Sequence, residues 1–234
     1  MKKLLVAVAA VAAFGAFGKT IYVDDDAAEG GDGAFGKPFK TIAEGIGAAD
    51  AATPDEVVVA DGTYVIEAQI SVNKAITVRS ASDDPSKVTI NAKTVCRVME
   101  FTADGATVRG LRILNGTPGA GQSGGGIKLT KKGRVENCII ESCQACTGGS
   151  AGHGGGLYVD AGSVVTGCIV KNCYTTQNGD IKGIGVYIAN GTLEHSLVFG
   201  SKRTKSMAKP CYGAVYPDFP RSRAKPQRLL GFCS

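Results

Sequence analysis

The sequence predicts an all-β fold, a parallel β-helix with a short N-terminal capping α-helix. Three observations carry this. First, Gly124–Cys143 (GGGIKLTKKGRVENCIIESC) is echoed thirty residues later by Gly154–Cys173 (GGGLYVDAGSVVTGCIVKNC), with seven of twenty positions identical. Second, four segments superpose, starting at Met99, Ile127, Leu157 and Val186, at shifts of about 27, 30 and 28 residues. Third, each unit reads as two short alternating strands joined at a glycine (Gly105, Gly133, Gly162, Gly191), and none carries a helical period. A unit of this kind cannot bury its own apolar side. It can do so by winding into one turn of a solenoid whose strands pair with the turns above and below.

In chain order, residues 1–18 (MKKLLVAVAAVAAFGAFG) have Lys2 and Lys3 before an apolar run and small residues near its end. This is the pattern of a secretory signal, and the run is short for a membrane span. Residues 19–200 form the predicted β-helix domain. Ile21–Val23 is a strand leading into an acidic, glycine-rich loop. Ile42, Ile46 and Ala49 have helical spacing, which places the cap helix at about 40–51. Strands are expected at Glu56–Ala60, Ala68–Val72, Ala75–Arg79, Lys87–Asn91, Arg97–Thr102 and Ala106–Val108. The repeats proper run from about 98 to 200. Phe101, Leu129, Val159 and Ile188 correspond. So do Val108, Val135, Val165 and Leu193, then Leu111, Cys138, Cys168 and Ser196, then Ile113, Ile140, Val170 and Val198.

Residues 201–234 depart from the repeat. They hold eight Lys and Arg against Asp218 alone, so the stretch carries +7, more than the net +5 of the whole chain. Residues 19–200 have sixteen basic and twenty acidic residues, net −4. The basicity is therefore no sign of nucleic-acid binding by the repeats, and no nucleic-acid partner is expected. The basic, proline-containing stretch reads as a disordered segment, a cap for the lower end, or the product of a truncation or frameshift.

The rungs and the entry YVDDD…GKPFKTIAEGI…DEVVVADGTY, with NCII, GCIV and GGG before a strand, resemble the right-handed parallel β-helix proteins of the pectin-lyase-like superfamily. They are similar in particular to exported bacterial repeat proteins, including polymorphic outer-membrane and autotransporter passenger repeats. The resemblance implies a right-handed solenoid, closed at its first turn by the helix, and a secreted, extracellular or cell-envelope location. It leaves activity open, because one fold hosts many functions.

Eight cysteines fit an exported chain. Cys138 and Cys168 are one turn apart at an inward position, and Cys143 and Cys173 at the next corner. Equivalent Cα atoms on stacked rungs lie about 4.8 Å apart, within disulfide range. The pairs Cys138–Cys168 and Cys143–Cys173 are thus candidate vertical disulfides, or buried free thiols acting as small hydrophobes. Cys143 and Cys146 form CQAC but lack a second ligand pair, so no metal site is expected there. Asp24, Asp25 and Asp26 offer the oxygen ligands calcium takes, without the EF-hand spacing; calcium is the one cofactor considered.

The loops Thr117–Gly126, Gln144–Gly156 and Tyr174–Gly183 fall at equivalent points of successive turns and should stack on one side of the rod. They gather Gln122, His153, Tyr174, Gln177, Asn178, Asp180 and Lys182, groups suited to sugar recognition. No stacked carboxylates beside a cation, as a uronan lyase needs, stand out. The expected function is a surface or extracellular structural or carbohydrate-binding, adhesin-like module. A polysaccharide lyase or glycoside hydrolase, or a fragment of one, is the alternative.

Overall fold

The structure is a computed structural model that describes residues 18–148, 152–177, 179, 181–204, 215–217 and 231–232. The predicted signal therefore lies outside the described residues except for Gly18, and so does most of the basic stretch.

The chain opens with β1 (Thr20–Val23) and α1 (Ile42–Ala48). It then circulates through the same three faces: β2 (Glu56–Val59), β3 (Gly62–Val65) and β4 (Ile70–Val72), then β5 (Thr77–Ser80), β6 (Val88–Asn91) and β7 (Met99–Phe101). The next turns are β8 (Thr107–Arg109), β9 (Arg112–Leu114) and β10 (Ile127–Leu129), then β11 (Arg134–Glu136), β12 (Ile139–Glu141) and β13 (Leu157–Val159). In the following turns a corner strand joins the three: β14 (Ser163–Thr166), β15 (Ile169–Lys171), β16 (Tyr174–Thr175) and β17 (Val186–Ile188). After these come β18 (Gly191–Glu194), β19 (Leu197–Phe199), β20 (Lys202–Arg203) and β21 (Val215–Pro217), and finally β22 (Gly231–Phe232).

Every pairing between these strands is parallel. They assemble into a first sheet β1-β2-β5-β8-β11-β14-β18, a second sheet β22-β19-β15-β12-β9-β6-β3 and a third sheet β21-β17-β13-β10-β7-β4. This is a parallel β-helix with one short helix, as the periodicity predicts. Each turn has three strands where the sequence suggested two.

The register is the predicted one. Leu129 pairs with Phe101 and Val159, Val135 with Val108 and Val165, and Ile140 with Ile113 and Val170. These side chains are fully buried and stack in columns along the rod. Each such Val, Leu or Ile contributes about 1.5–3 kcal/mol by leaving water.

Two columns of left-handed residues turn the chain. Between the first and second sheets stand Gly110 (φ 67), Asn137 (φ 47), Gly167 (φ 64) and His195 (φ 47). After the second sheet stand Asn115 (φ 55), Ser142 (φ 54), Asn172 (φ 54) and Gly200 (φ 65). Gly and Asn enter this region at low cost, which explains their recurrence there. Asn115 Nδ2 also donates to Asn91 Oδ1 (3.2 Å), so the second corner is partly a polar ladder.

The helix is tied at both ends. Thr41 forms a capping box with Glu44: Glu44 N donates to Thr41 Oγ1 (3.2 Å) and Thr41 N to Glu44 Oε2 (2.9 Å). At the other end Lys74 Nζ donates to the carbonyls of Ile46, Gly47 and Ala49 at 2.9, 2.7 and 2.7 Å. A cation there meets the negative end of the helix dipole. Ile42 and Ile46 close the core over β1, β2 and β4.

The described parts of 201–234 are strands. β20 pairs with β16, β21 adds to the third sheet and β22 to the second.

Candidate functional site

The third sheet and the loops entering it form the best-defined polar face. In β7, β10 and β13 the middle residue lies between two buried neighbours, and the middle residues of β17 and β21 continue its column. These residues are Glu100, Lys128, Tyr158, Tyr187 and Tyr216, and strand pairing sets them in one column. The three tyrosines stack. Tyr158 and Tyr187 have ring centroids 5.4 Å apart at 21°, and Tyr187 and Tyr216 are 5.8 Å apart at 2°. His153 stacks on Tyr187 at 4.7 Å, and Lys182 Nζ lies 4.9 Å from the Tyr216 ring centre. Lys182 N donates to His153 Nδ1 (3.1 Å), which joins two successive loops. Stacking along the rod covers ring faces: Tyr187, in the middle of the ladder, is buried, and Tyr158 and Tyr216 on either side of it are half-buried.

The loops reach this face through their glycines. Gly126 N donates to Gly155 O and Ile127 N to Gly156 O, both at 2.9 Å, while Gly155 N donates to Ile184 O (2.7 Å). A Cβ on Gly125 would lie 2.1 Å from Gln144 O, so the triple glycine lets backbones of adjacent turns touch.

Toward the N-terminal end the column becomes ionic. Arg97 is 5% exposed and fully engaged. Its Nε donates to Gly124 O (2.9 Å), Nη1 to Glu100 Oε2 (2.8 Å) and Gln69 Oε1, and Nη2 to Gln122 Oε1 (2.9 Å) and Ser123 O (3.0 Å). Burial draws its pKa below the usual guanidinium value, and Glu100 opposes that shift. Lys128 Nζ lies 3.3 Å from Glu100 Oε1.

The predicted site residues divide accordingly. His153 and Lys182 meet on the tyrosine ladder. Gln122 is held by Arg97. Gln177 Nε2 donates to Thr147 O (2.8 Å) and Thr176 Oγ1 (3.1 Å), so it ties one loop to another. Tyr174 is half-buried in β16, and burial raises its pKa. Asn178 and Asp180 lie outside the described residues. The tyrosines, Arg97 and Glu100 were not anticipated. The signal was present, because Glu100, Lys128, Tyr158 and Tyr187 fall between repeat positions already aligned.

In the acidic loop, Asp24 Oδ1 accepts from Asp26 N (3.0 Å) and Asp25 Oδ2 accepts from Thr63 N (3.0 Å). Asp24, Asp25 and Asp26 thus hold a turn and attach it to β3. Among the described residues no three His, Cys, Asp or Glu side chains gather as a metal-holding group.

The candidate pairs Cys138–Cys168 and Cys143–Cys173 stand in this structure as four free buried thiols. Each donates to the carbonyl two residues earlier: Cys138 to Glu136 O, Cys143 to Glu141 O, Cys168 to Thr166 O and Cys173 to Lys171 O, at 3.2–3.6 Å. Backbone acceptors within the same turn thus satisfy them as packing residues. Burial pushes Cys138 and Cys143 well up and Cys173 up to about 12.

No family model matches this chain, and no curated protein matches it. Among solved structures it is similar to the crystal structure of pectate lyase Pel9A, with a TM-score of 0.52 and 13% identity over 80% of this chain and 55% of that one. The chain thus spans about half the length of that protein, and at this identity the likeness is one of fold. No helix among the described residues is long and apolar enough to cross a membrane. In fold, the chain is a parallel β-helix.

Proposed function

We propose that this chain is an exported, non-catalytic polysaccharide-binding β-helix that uses the outer face of its third sheet. The observation that carries the reading is the tyrosine ladder, flanked by His153 and Lys182. The half-buried rings of Tyr158 and Tyr216, two rungs apart, suit an extended chain of sugars lying along the rod. A rigid sheet fixes their positions, and the loops beside it supply side chains for specificity. The cations Lys128 and Lys182 on this face favour a glycan bearing carboxylates. Titration with polygalacturonate and with a neutral glucan tests the reading. Binding should favour polygalacturonate, and Tyr158→Ala or Lys182→Ala should weaken it at least about tenfold, or ~1.4 kcal/mol. Equal or absent binding of both polymers would remove it.

The second reading is a lyase acting on such a polymer, supported by the name of the similar structure and by a lysine on this face. It requires unsaturated products to accumulate with polygalacturonate, with or without calcium, and to vanish in Lys182→Ala.

A further inference from the structure

Two buried thiols stand one above the other on adjacent turns. Cys138 precedes β12 and Cys168 precedes β15, and these strands pair Ile139 with Ile169. Ile139 N donates to Leu111 O, Ile169 N to Cys138 O and Leu197 N to Cys168 O, at 2.9–3.0 Å. Leu111, Cys138, Cys168 and Ser196 therefore form one inward column, in which the cysteines are direct neighbours. Adjacent strands lie about 4.8 Å apart, and a disulfide spans Cα atoms about 4.4–6.8 Å apart. Cys168 Sγ also reaches back to Val135 O (3.6 Å), on the turn that carries Cys138.

The pair Cys143 and Cys173 has the same vertical spacing but a different setting. Cys143 Sγ accepts from Gly116 N (3.3 Å), and a Cβ on Gly126 would lie 3.2 Å from it. Both glycines belong to the preceding turn, on the side away from Cys173. Ionisation separates the pairs as well. When Cys168 ionises, the Cys138 thiol is close enough to donate to it, and this bond brings the Cys168 pKa below the usual thiol value against the pull of burial. Burial raises both Cys143 and Cys173. A thiolate is the nucleophile of disulfide exchange.

We propose that Cys138 and Cys168 join in a disulfide between successive turns when the chain folds in the presence of a disulfide oxidant, and that Cys143 and Cys173 remain thiols. The Cys168 thiolate attacks one sulfur of the oxidant, whose other sulfur leaves as a thiolate and takes up a proton. Cys138 then gives up its proton and attacks Cys168 Sγ, which releases the second oxidant thiol. One S–S bond breaks and one forms, and the oxidant gains the two electrons and two protons that the cysteines lose. Both side chains are 1% exposed, so the exchange belongs to the assembly of these turns and the finished rod shields the bond. The enclosed segment carries His153 and Tyr158, so the link fixes the turn that presents them.

The test is refolding of the reduced full chain from urea into buffer containing glutathione disulfide, followed by alkylation under denaturing conditions and peptide mapping by mass spectrometry. The expected result is a linked Cys138–Cys168 peptide pair beside alkylated Cys143 and Cys173. This oxidised chain should melt about 5–15 °C above the chain refolded in dithiothreitol, because the link restricts the unfolded state. Cys168→Ser, which puts into the column the residue type already present at Ser196, should abolish that rise. The mapping needs only the wild-type chain, so it decides whether or not the variant folds. Recovery of Cys138 and Cys168 as alkylated thiols overturns the proposal. So does a Cys143–Cys173 link in equal yield, or a rise that survives Cys168→Ser.

Discussion

Arg97 shows how a residue on the face proposed to bind glycan can be structural. Five acceptors hold its guanidinium, and four of them come from neighbouring turns, Gln69 on one side and Gln122, Ser123 and Gly124 on the other. Arg97→Ala should lower stability by about 3 kcal/mol, since it leaves buried acceptors and Glu100 without their partner. Chemical denaturation at pH 7 measures this. Asp55 does similar work below the cap. It is buried and accepts from Lys19 N, Asp50 N and Thr53 Oγ1. Burial alone would raise its pKa, but these bonds bring it below the usual value. The folded pKa is therefore depressed. The contribution is complete above the ordinary Asp value of about 3.9 and is lost as pH falls through the lower folded value. Asp55→Asn should be less stable than wild type at neutral pH, and the gap should narrow in denaturant titrations below about pH 4. At this scale residue types were legible but partners were not. Gln122 and Gln177 look like free amides until the neighbouring turn shows what they bind.

The columns are the element-scale counterpart. Inward positions were legible because one turn fixes the spacing of the next, and the register follows Phe101, Val108 and Ile113 down the rod. The third strand of each turn was not separated, for a physical reason. A single left-handed residue, such as Asn137, bends the chain without interrupting its apolar alternation, so Val135, Cys138 and Ile140 read as one strand. Asn172→Ala should cost about 1 kcal/mol, whereas Asn172→Gly should be nearly neutral, because only the former strains φ 54. Comparison of their thermal midpoints separates strain from loss of the amide. The cap was also legible, from the helical spacing of Ile42, Ile46 and Ala49, while its capping box emerged only in the structure. Thr41→Ala should cost about 1 kcal/mol through the lost cap.

For the whole molecule, the rod was readable from a period of about 30 residues, and its likeness to pectate lyase Pel9A is a likeness of architecture. The function we propose for the rod rests on one face. There an ionic cluster passes into a tyrosine ladder, and two loop residues chosen from sequence alone, His153 and Lys182, come to rest on that ladder. Truncation of Tyr158 or Lys182 should leave the core columns intact, because both side chains stand outside them. The most direct measurement is isothermal titration of the chain with polygalacturonate, alongside Tyr158→Ala and Lys182→Ala. Saturable binding without cleavage, weakened at least about tenfold by either substitution while the thermal midpoint holds, is the predicted result. Binding untouched by both substitutions would contradict the assignment of this face.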